Sequence, residues 1–188
     1  MQKSLSDNKR IAKNTLFLYF RSILLIVISL YTTREILRVL GVDNYGIYQL
    51  VGGVVAMFAM LSGSMSSASQ RFITYALGRA NKNDIKKVFT TSITLHIVIG
   101  AILVLILEIG GIYFLYNYLE IPAGRLTAAF WTLQCSIFTF YLNIISVPYN
   151  SLIIAYERME AFAYISIFDT VLKLLSVYLL YIISFDKL

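Results

Sequence analysis

Long apolar runs alternate with short polar segments along this chain, and the runs have the length that a bilayer requires. A transmembrane helix needs about 20 predominantly apolar residues. Five runs reach this length, at residues 14–33, 44–70, 88–107, 126–156 and 161–185, and they contain only three charges: Arg21, Asp169 and Lys173. Apolar positions do not alternate with a period of two, as the strands of a membrane barrel require. The pattern therefore predicts an all-α, polytopic membrane protein with five transmembrane helices.

The charged segments around these runs predict the domain boundaries. Residues 1–13 are basic and are expected to be a cytoplasmic segment, and residues 14–185 are expected to form the membrane lobe. Its helices are predicted at about 14–37, 44–70, 88–115, 126–150 and 161–185, and residues 186–188 are expected to be a truncated end. The first run is not interpreted as a cleavable signal peptide, because it carries Arg21 and lacks a cleavage site with small residues.

The basic residues favour one orientation of the chain in a membrane. With the N-terminus in the cytoplasm, the inside segments hold ten Lys and Arg residues and the outside segments hold four. Cytoplasmic segments of membrane proteins usually carry such an excess. The basic segment 71–87 is therefore interpreted as a topology signal, and no nucleic-acid partner is expected.

Composition supports this class and excludes several others. Apolar residues make up 59% of the 188 residues and charged residues 14%, whereas soluble domains average about 45–50% and about 25%. The single cysteine, Cys135, excludes an internal disulfide framework and a cysteine-cluster metal site. The single histidine, His96, excludes the multi-histidine sites of most zinc enzymes and is interpreted as a structural residue. We therefore expect no metal ion and no cofactor.

Two of the predicted helices carry small or polar side chains along one face. In the second helix such residues recur every three or four positions, and the interval from Gly52 to Gly63 is interpreted as a seam against another helix. The fourth helix has six polar positions on one face: Thr132, Ser136, Thr139, Asn143, Ser146 and Asn150. Because lipid penalises such a face, these side chains are expected to line a bundle interior or a cavity.

The fifth helix places Asp169 and Lys173 four residues apart, so their side chains can pair. A charge at mid-bilayer costs about 2.5–3.5 kcal/mol on insertion scales, which makes both residues functional candidates. The alternative is a self-neutralising pair that only orients the helix. Arg21, His96 and Asp169 lie roughly 12 Å from the cytoplasmic ends of their helices, and Asn143 lies at a similar depth. These positions predict a polar cavity that opens to the cytoplasm.

Two short segments resemble a known transporter family. The sequence L-G-V-D-N-Y-G-I-Y-Q-L occupies Leu40–Leu50, and Q-R-F-I-T-Y-A-L-G at Gln70–Gly78 ends the second predicted helix. This pattern, followed by a basic loop, is similar to the N-terminal part of bacterial polysaccharide and O-antigen flippases. Those proteins belong to the multidrug/oligosaccharidyl-lipid/polysaccharide exporter superfamily. The matching residues are Gly41, Tyr45 and Gly46 in the loop motif and Arg71 at the end of the helix.

The resemblance implies a fold, a substrate and partners. Members have two six-helix lobes around a V-shaped cavity lined by basic residues, and they turn over an undecaprenyl-pyrophosphate-linked oligosaccharide by alternating access. The five helices would form most of one lobe, and the chain is expected to be a fragment whose partners are membrane lipids and a missing C-terminal lobe. Arg21, Asn143, Asp169 and Lys173 are expected to line the substrate cavity. A transporter of this kind is not an enzyme.

Two other functional classes stay open on the sequence alone. A membrane-embedded enzyme that acts on a lipid phosphate would need clustered carboxylates, or a nucleophile with a base, near an interface. The close acidic pair Glu157 and Glu160 flanks Arg158 and is interpreted as a solvated loop. A noncatalytic scaffold subunit could use the same helices and their polar faces to dock onto another membrane protein.

Overall fold

The chain is helical in nearly all of the residues that the computed structural model describes, 2–79 and 82–182. Four α-helices follow one another, α1 (Gln2–Gly78), α2 (Lys82–Asn117), α3 (Leu126–Ala155) and α4 (Met159–Ile182), and a short 3-10 turn at Ala123–Arg125 precedes α3. The described residues contain no strand. All four helices are long and apolar enough to cross a membrane. The predicted all-α membrane class is therefore confirmed.

The prediction of five separate helices is not confirmed, because residues 38–43 do not form the expected loop. Helix α1 continues through this segment, and only Gly41 leaves helical geometry, with φ 77° and ψ 170°. A positive φ of this kind is accessible to glycine, whereas a Cβ would strain it. Gly41 therefore interrupts a 77-residue helix at a single position.

The other boundaries differ from the prediction by a few residues. Helix α2 begins at Lys82, six residues before the predicted start, because the basic segment that precedes the apolar run is itself helical. Helix α3 continues through Pro148 to Ala155 instead of ending near residue 150. The predicted end at residues 186–188 and the side chains of Lys3, Lys9, Arg10 and Lys13 lie outside the described residues.

The described residues divide into two compact units, and the border in α1 falls at Gly41. Unit 1 comprises residues 2–41 and 157–182, so it pairs the first part of α1 with α4. Arg21 contacts Phe162, and further along both helices the hydroxyl oxygens of Tyr31 and Tyr178 lie 2.6 Å apart. The two helices of unit 1 therefore run in the same direction.

Unit 2 comprises residues 42–79 and 82–156, and it contains a continuous apolar core. The buried side chains of this core come from three helical segments: Ile47, Val51, Val55, Leu107, Leu115, Ala129, Leu133, Ile137, Phe140 and Ile144. The second part of α1 runs parallel to α3, because Phe58 packs on Phe140 and, further along, Ser66 contacts Ser151.

Glycines allow α2 to approach α3 closely. A Cβ at Gly100 would lie 3.0 Å from the Tyr141 ring, and a Cβ at Gly111 would lie 3.3 Å from Leu133. These contacts also show that α2 and α3 are antiparallel, since the residue number rises along α2 as it falls along α3. The glycines of α2 thus permit the close approach of α2 to α3.

The seam predicted between Gly52 and Gly63 is not a packing seam in unit 2. A Cβ at either glycine would meet no heavy atom within 4 Å, and Ala56 and Ala59 between them are exposed. The opposite face of this segment packs into the core through larger apolar side chains such as Val51. The small residues therefore leave space beside the helix instead of admitting another helix.

Candidate functional site

Unit 1 contains an open groove of about 470 Å³ between the first part of α1 and α4. Its lining residues are Arg21, Leu25, Ser29, Thr32, Thr33, Ile36, Ser166, Asp169, Thr170 and Lys173, and we call it the charged groove. They recur at three- and four-residue steps, so each helix contributes one face. Three of the four residues that the sequence predicts in a cavity thus share one groove: Arg21, Asp169 and Lys173.

Arg21 brings an uncompensated positive charge to the charged groove. Its guanidinium carbon lies 4.6 Å from the centre of the Phe162 ring, a cation–π contact. The Nε atom is buried and has no hydrogen-bond partner. Among the described residues, no carboxylate lies within ion-pair distance of Arg21. A ligand anion would therefore find a guanidinium that is oriented by an aromatic ring and not neutralised by the protein.

Asp169 and Lys173 form the pair that their spacing predicts. Lys173 Nζ lies 2.8 Å from Asp169 Oδ2. Both side chains are exposed on the groove, with 60% and 69% of their surface accessible for Asp169 and Lys173, respectively. Because this pair is internally neutral, the net charge of the groove comes from Arg21.

Three of the five hydroxyl groups that line the charged groove have their protons committed to the backbone. Thr32 donates to the carbonyl of Ile28 at 2.7 Å, and Ser166 and Thr170 donate to the carbonyls four residues earlier at 2.8 Å. A hydroxyl has one proton and two lone pairs, so these groups offer acceptors to a ligand. The strong donors of the groove are Arg21 and Lys173, which would contact a ligand anion.

Three hydroxyl residues of α1 belong to the charged groove but are not among the site residues predicted from the sequence. Ser29, Thr32 and Thr33 line the charged groove together with Arg21. Their three- and four-residue spacing from Arg21 and Leu25 is the signal that identifies them, because it places them on the same helical face. Phe162 carries no comparable signal, since its contact with Arg21 depends on how α4 packs.

Asn143 lies in a different groove, within unit 2. This groove has a volume of about 650 Å³ and is lined by Tyr48, Gly52, Val55, Ala56, Ala59, Ser62, Trp131, Thr132, Cys135, Ser136, Thr139, Phe140 and Asn143. We call it the neutral groove, because none of these residues is charged. Ser136, Thr139 and Asn143 each donate to the carbonyl four residues earlier at 2.8 Å. These three side chains therefore have lone pairs left to accept hydrogen bonds.

Comparison with known proteins identifies the family. The MatE family matches residues 15–179, which is most of the sequence. The chain belongs to the MatE family. This confirms the resemblance to the exporter superfamily, and it supports a role in transport across a membrane by a multi-pass protein.

One similar protein is the "Uncharacterized membrane protein EpsK" of Bacillus subtilis (strain 168). It is 21% identical to the MatE-family chain over 159 residues, which cover 85% of this chain and 31% of the relative. The chain thus spans about a third of the length of this relative. No solved structure gives a significant match.

The four motif residues of the MatE-family chain lie along α1. Gly41 forms the break described above, and Gly46 has space around it for a Cβ. Tyr45 accepts a hydrogen bond from Gln49 Nε2 at 2.8 Å. Arg71 lines an open surface groove near the end of α1, where Arg79 packs on the Tyr75 ring.

A metal site is not evident in residues 2–79 and 82–182. No group of three or more His, Cys, Asp and Glu side chains within these ranges is arranged to hold a metal ion. The charged groove brings charged side chains and hydrogen-bonding groups together.

Proposed function

We propose that this chain forms most of one lobe of a flippase in the bacterial inner membrane. Its substrate would be an undecaprenyl-pyrophosphate-linked oligosaccharide for a surface polysaccharide such as O-antigen or capsule. The observation that carries the proposal is the unneutralised guanidinium of Arg21 in the charged groove. A charge on a membrane-spanning helix is costly unless it faces water, a partner or a ligand.

The charges of the groove favour an anionic ligand over a cationic one. Asp169 is the one carboxylate in the lining, and it is already paired with Lys173. An organic cation would therefore have to displace Lys173 while Arg21 repels it. A pyrophosphate would instead gain contacts with both cations, and Arg–phosphate hydrogen bonds are among the strong ones in proteins.

The remaining polar atoms suit sugars. Sugar hydroxyls are donors, and the committed hydroxyls of Thr32, Ser166 and Thr170 leave lone pairs that accept. The neutral groove offers the same chemistry along α3, and Asn143 adds a carbonyl oxygen. We propose that both grooves contact the glycan in an assembled transporter, whose second lobe and surrounding lipids would be the partners of this chain.

We further propose five crossings, with the N-terminus in the cytoplasm. A 77-residue α-helix would be about 115 Å long, several times the hydrocarbon thickness of about 30 Å. The first part of α1 is parallel to α4 and its second part is parallel to α3. A helix of this length does not fit one crossing, so we propose that the parts of α1 before and after Gly41 are two separate crossings.

Complementation tests the transport proposal. The complete reading frame that encodes the chain is expressed in a bacterial strain that lacks its polysaccharide flippase, and surface glycan is quantified together with the membrane level of the protein. We expect restored glycan with the native sequence and loss of it with Arg21→Ala at equal protein level. Export that is unaffected by Arg21→Ala would contradict the proposed role of the charged groove.

Reporter fusions test the topology separately. Fusions after Asp43 and after Leu188 should report an extracytoplasmic location, and a fusion after Asn81 should report the cytoplasm. A cytoplasmic signal after Asp43 would show that the part of α1 before Gly41 is not a separate crossing. The opposite results at all three positions would invert the orientation inferred from the basic residues.

A further inference from the structure

Unit 2 contains a second cavity, which the proposed flippase activity does not use. It has a volume of about 530 Å³ and lies between the second part of α1 and α2. Apolar side chains dominate its lining, among them Met65, Phe72, Leu95 and Ile99. Five of its eleven lining residues are polar, and the most buried of them is His96, at 4% exposure. We call it the histidine cavity.

The imidazole of His96 has one satisfied nitrogen and one unsatisfied nitrogen. Nδ1 lies 2.7 Å from the carbonyl oxygen of Ser92. A carbonyl oxygen only accepts, so Nδ1 carries the proton and Nε2 of the neutral ring carries a lone pair. Nε2 is buried and has no hydrogen-bond partner. A buried acceptor without a donor is costly, by about 1–3 kcal/mol in typical cases.

The neighbouring hydroxyls do not relieve this atom. Ser69 Oγ and Ser92 Oγ lie 3.0 Å apart and form a hydrogen bond with each other. Lys87 is the one charged residue in the lining, nine positions before His96 on α2 and thus roughly 13 Å along the helix. Its ammonium can extend toward water along the helix, as lysines near helix ends do. None of the described side chains therefore supplies a donor to Nε2.

We propose that the histidine cavity binds a lipophilic molecule that carries a neutral hydroxyl, such as a long-chain alcohol or a lipid with a free hydroxyl group. The apolar body would occupy the cavity, and the hydroxyl would donate to His96 Nε2 once the covering side chains move aside. This binding site is independent of the charged groove and of the proposed flippase activity.

Other ligand classes fit the cavity less well. A phosphate or carboxylate would place acceptors against the lone pair of Nε2. An ammonium group could donate, but it would lose its hydration among apolar side chains, which costs far more than one hydrogen bond returns. A purely apolar chain would fill the space and leave Nε2 unsatisfied. A neutral hydroxyl is the group that supplies the donor at the smallest desolvation cost.

A matched pair of probes tests the proposal. Dodecanol and its methyl ether share an alkyl chain and an oxygen, but only the alcohol donates a hydrogen bond. The protein is labelled with ¹⁵N-histidine in detergent or nanodiscs, and the His96 resonance is assigned by its loss in His96→Phe. We expect dodecanol to shift the Nε2 resonance in the direction of hydrogen bonding, to bind about tenfold more tightly than the ether, and to lose this preference in His96→Phe.

The outcomes separate the possibilities clearly. Equal shifts and equal affinities for alcohol and ether would show a cavity that selects by shape alone, and no saturable shift would show that it does not bind such molecules. Either result would overturn the proposal. Met60→Leu is the matched control, because Met60 is 85% exposed on α1 and outside the lining; it should keep the tenfold preference. Loss of export in Arg21→Ala leaves this experiment unaffected.

Discussion

The charged groove of unit 1 and the neutral groove of unit 2 are both lined by serine and threonine hydroxyls, and they differ in the charged side chains of their linings. In both, hydroxyls donate to the carbonyl four residues earlier, as Thr170 does to Ser166 and Ser136 does to Thr132. Only the charged groove adds Arg, Lys or Asp side chains, namely Arg21, Asp169 and Lys173. The hydroxyl stripes are thus common to both, and the charges distinguish them.

Hydroxyl and guanidinium side chains on a membrane helix differ in how strongly they indicate a functional site. A serine or threonine that bonds its own helix backbone has satisfied its proton, so lipid penalises it little. The stripe on α3 is therefore weaker evidence for a substrate path than its six polar positions suggest. A guanidinium cannot be satisfied in this way. Arg21 is consequently a stronger indication of a substrate site than the whole hydroxyl stripe on α3.

The largest expected effect is the loss of export in Arg21→Ala. Removing the guanidinium deletes the unneutralised charge of the charged groove, and hydrogen bonds to charged groups contribute about 1.5–3 kcal/mol, or roughly 10- to 100-fold in binding. Surface glycan should fall by that order in the complementation strain at normal membrane level. Arg21→Lys should keep part of the activity, because it retains the charge but not the planar fork. Equal activity in all three proteins would reduce Arg21 to a packing residue.

The next effect concerns the ion pair. Asp169→Asn or Lys173→Met leaves one charge without its partner in the charged groove, whereas the double variant removes both charges of the pair. Stranding one member of a pair in a membrane costs more than removing both. Each single variant should therefore lower the membrane level several-fold, and the double variant should restore it, as measured by immunoblot of purified membranes. Export by the well-inserted double variant then decides the role: normal export means an orienting pair, and loss means contact with substrate. Normal levels and normal export in both single variants would contradict the placement of this pair.

Much of the fold follows from local features of the sequence. The apolar runs locate the helices, and the four-residue spacing of Asp169 and Lys173 predicts their pair, because both depend on neighbours within one helix. The break at Gly41 is harder to predict, since the flanking residues can all be helical. The sequence of residues 38–43 is compatible with a loop and with one interrupted helix, so it does not decide between them.

Contacts between helices could not be predicted from the sequence, because they depend on how segments far apart in the chain pack together. The ring of Phe162 beneath Arg21 and the approach of Gly100 to Tyr141 join positions far apart in the chain. The row from Gly52 to Gly63 has the spacing of a packing seam, yet small residues serve equally well to open a groove. Spacing identifies the face of a helix, but only the neighbouring helix determines whether that face is filled.

A smaller effect is expected from the neutral groove. Asn143→Ala removes an uncharged amide whose Nδ2 already bonds the Thr139 carbonyl. A neutral hydrogen bond contributes about 0.5–1.5 kcal/mol, so export should fall only about 2- to 10-fold. Surface glycan in the complementation strain measures this, with Ser176→Ala on α4 as the control outside both grooves. A loss as large as that of Arg21→Ala would erase the difference between the two grooves.

The smallest expected effect is on thermal stability, and it distinguishes a glycine beside open space from a glycine packed against another helix. Gly52 borders the neutral groove, and a Cβ there meets nothing within 4 Å. Alanine is a better helix former than glycine by about 1 kcal/mol, so Gly52→Ala should raise the thermal unfolding midpoint of the purified protein by a few degrees or leave it unchanged. Gly100→Ala gains the same propensity, but its Cβ would lie 3.0 Å from the Tyr141 ring and 3.3 Å from Ile144. Because overpacking costs about 1–3 kcal/mol, this variant should unfold at a lower temperature than the native protein. A drop for Gly52→Ala would mean that another helix fills the neutral groove after all, and the row of small residues would then be the packing seam that its spacing predicts.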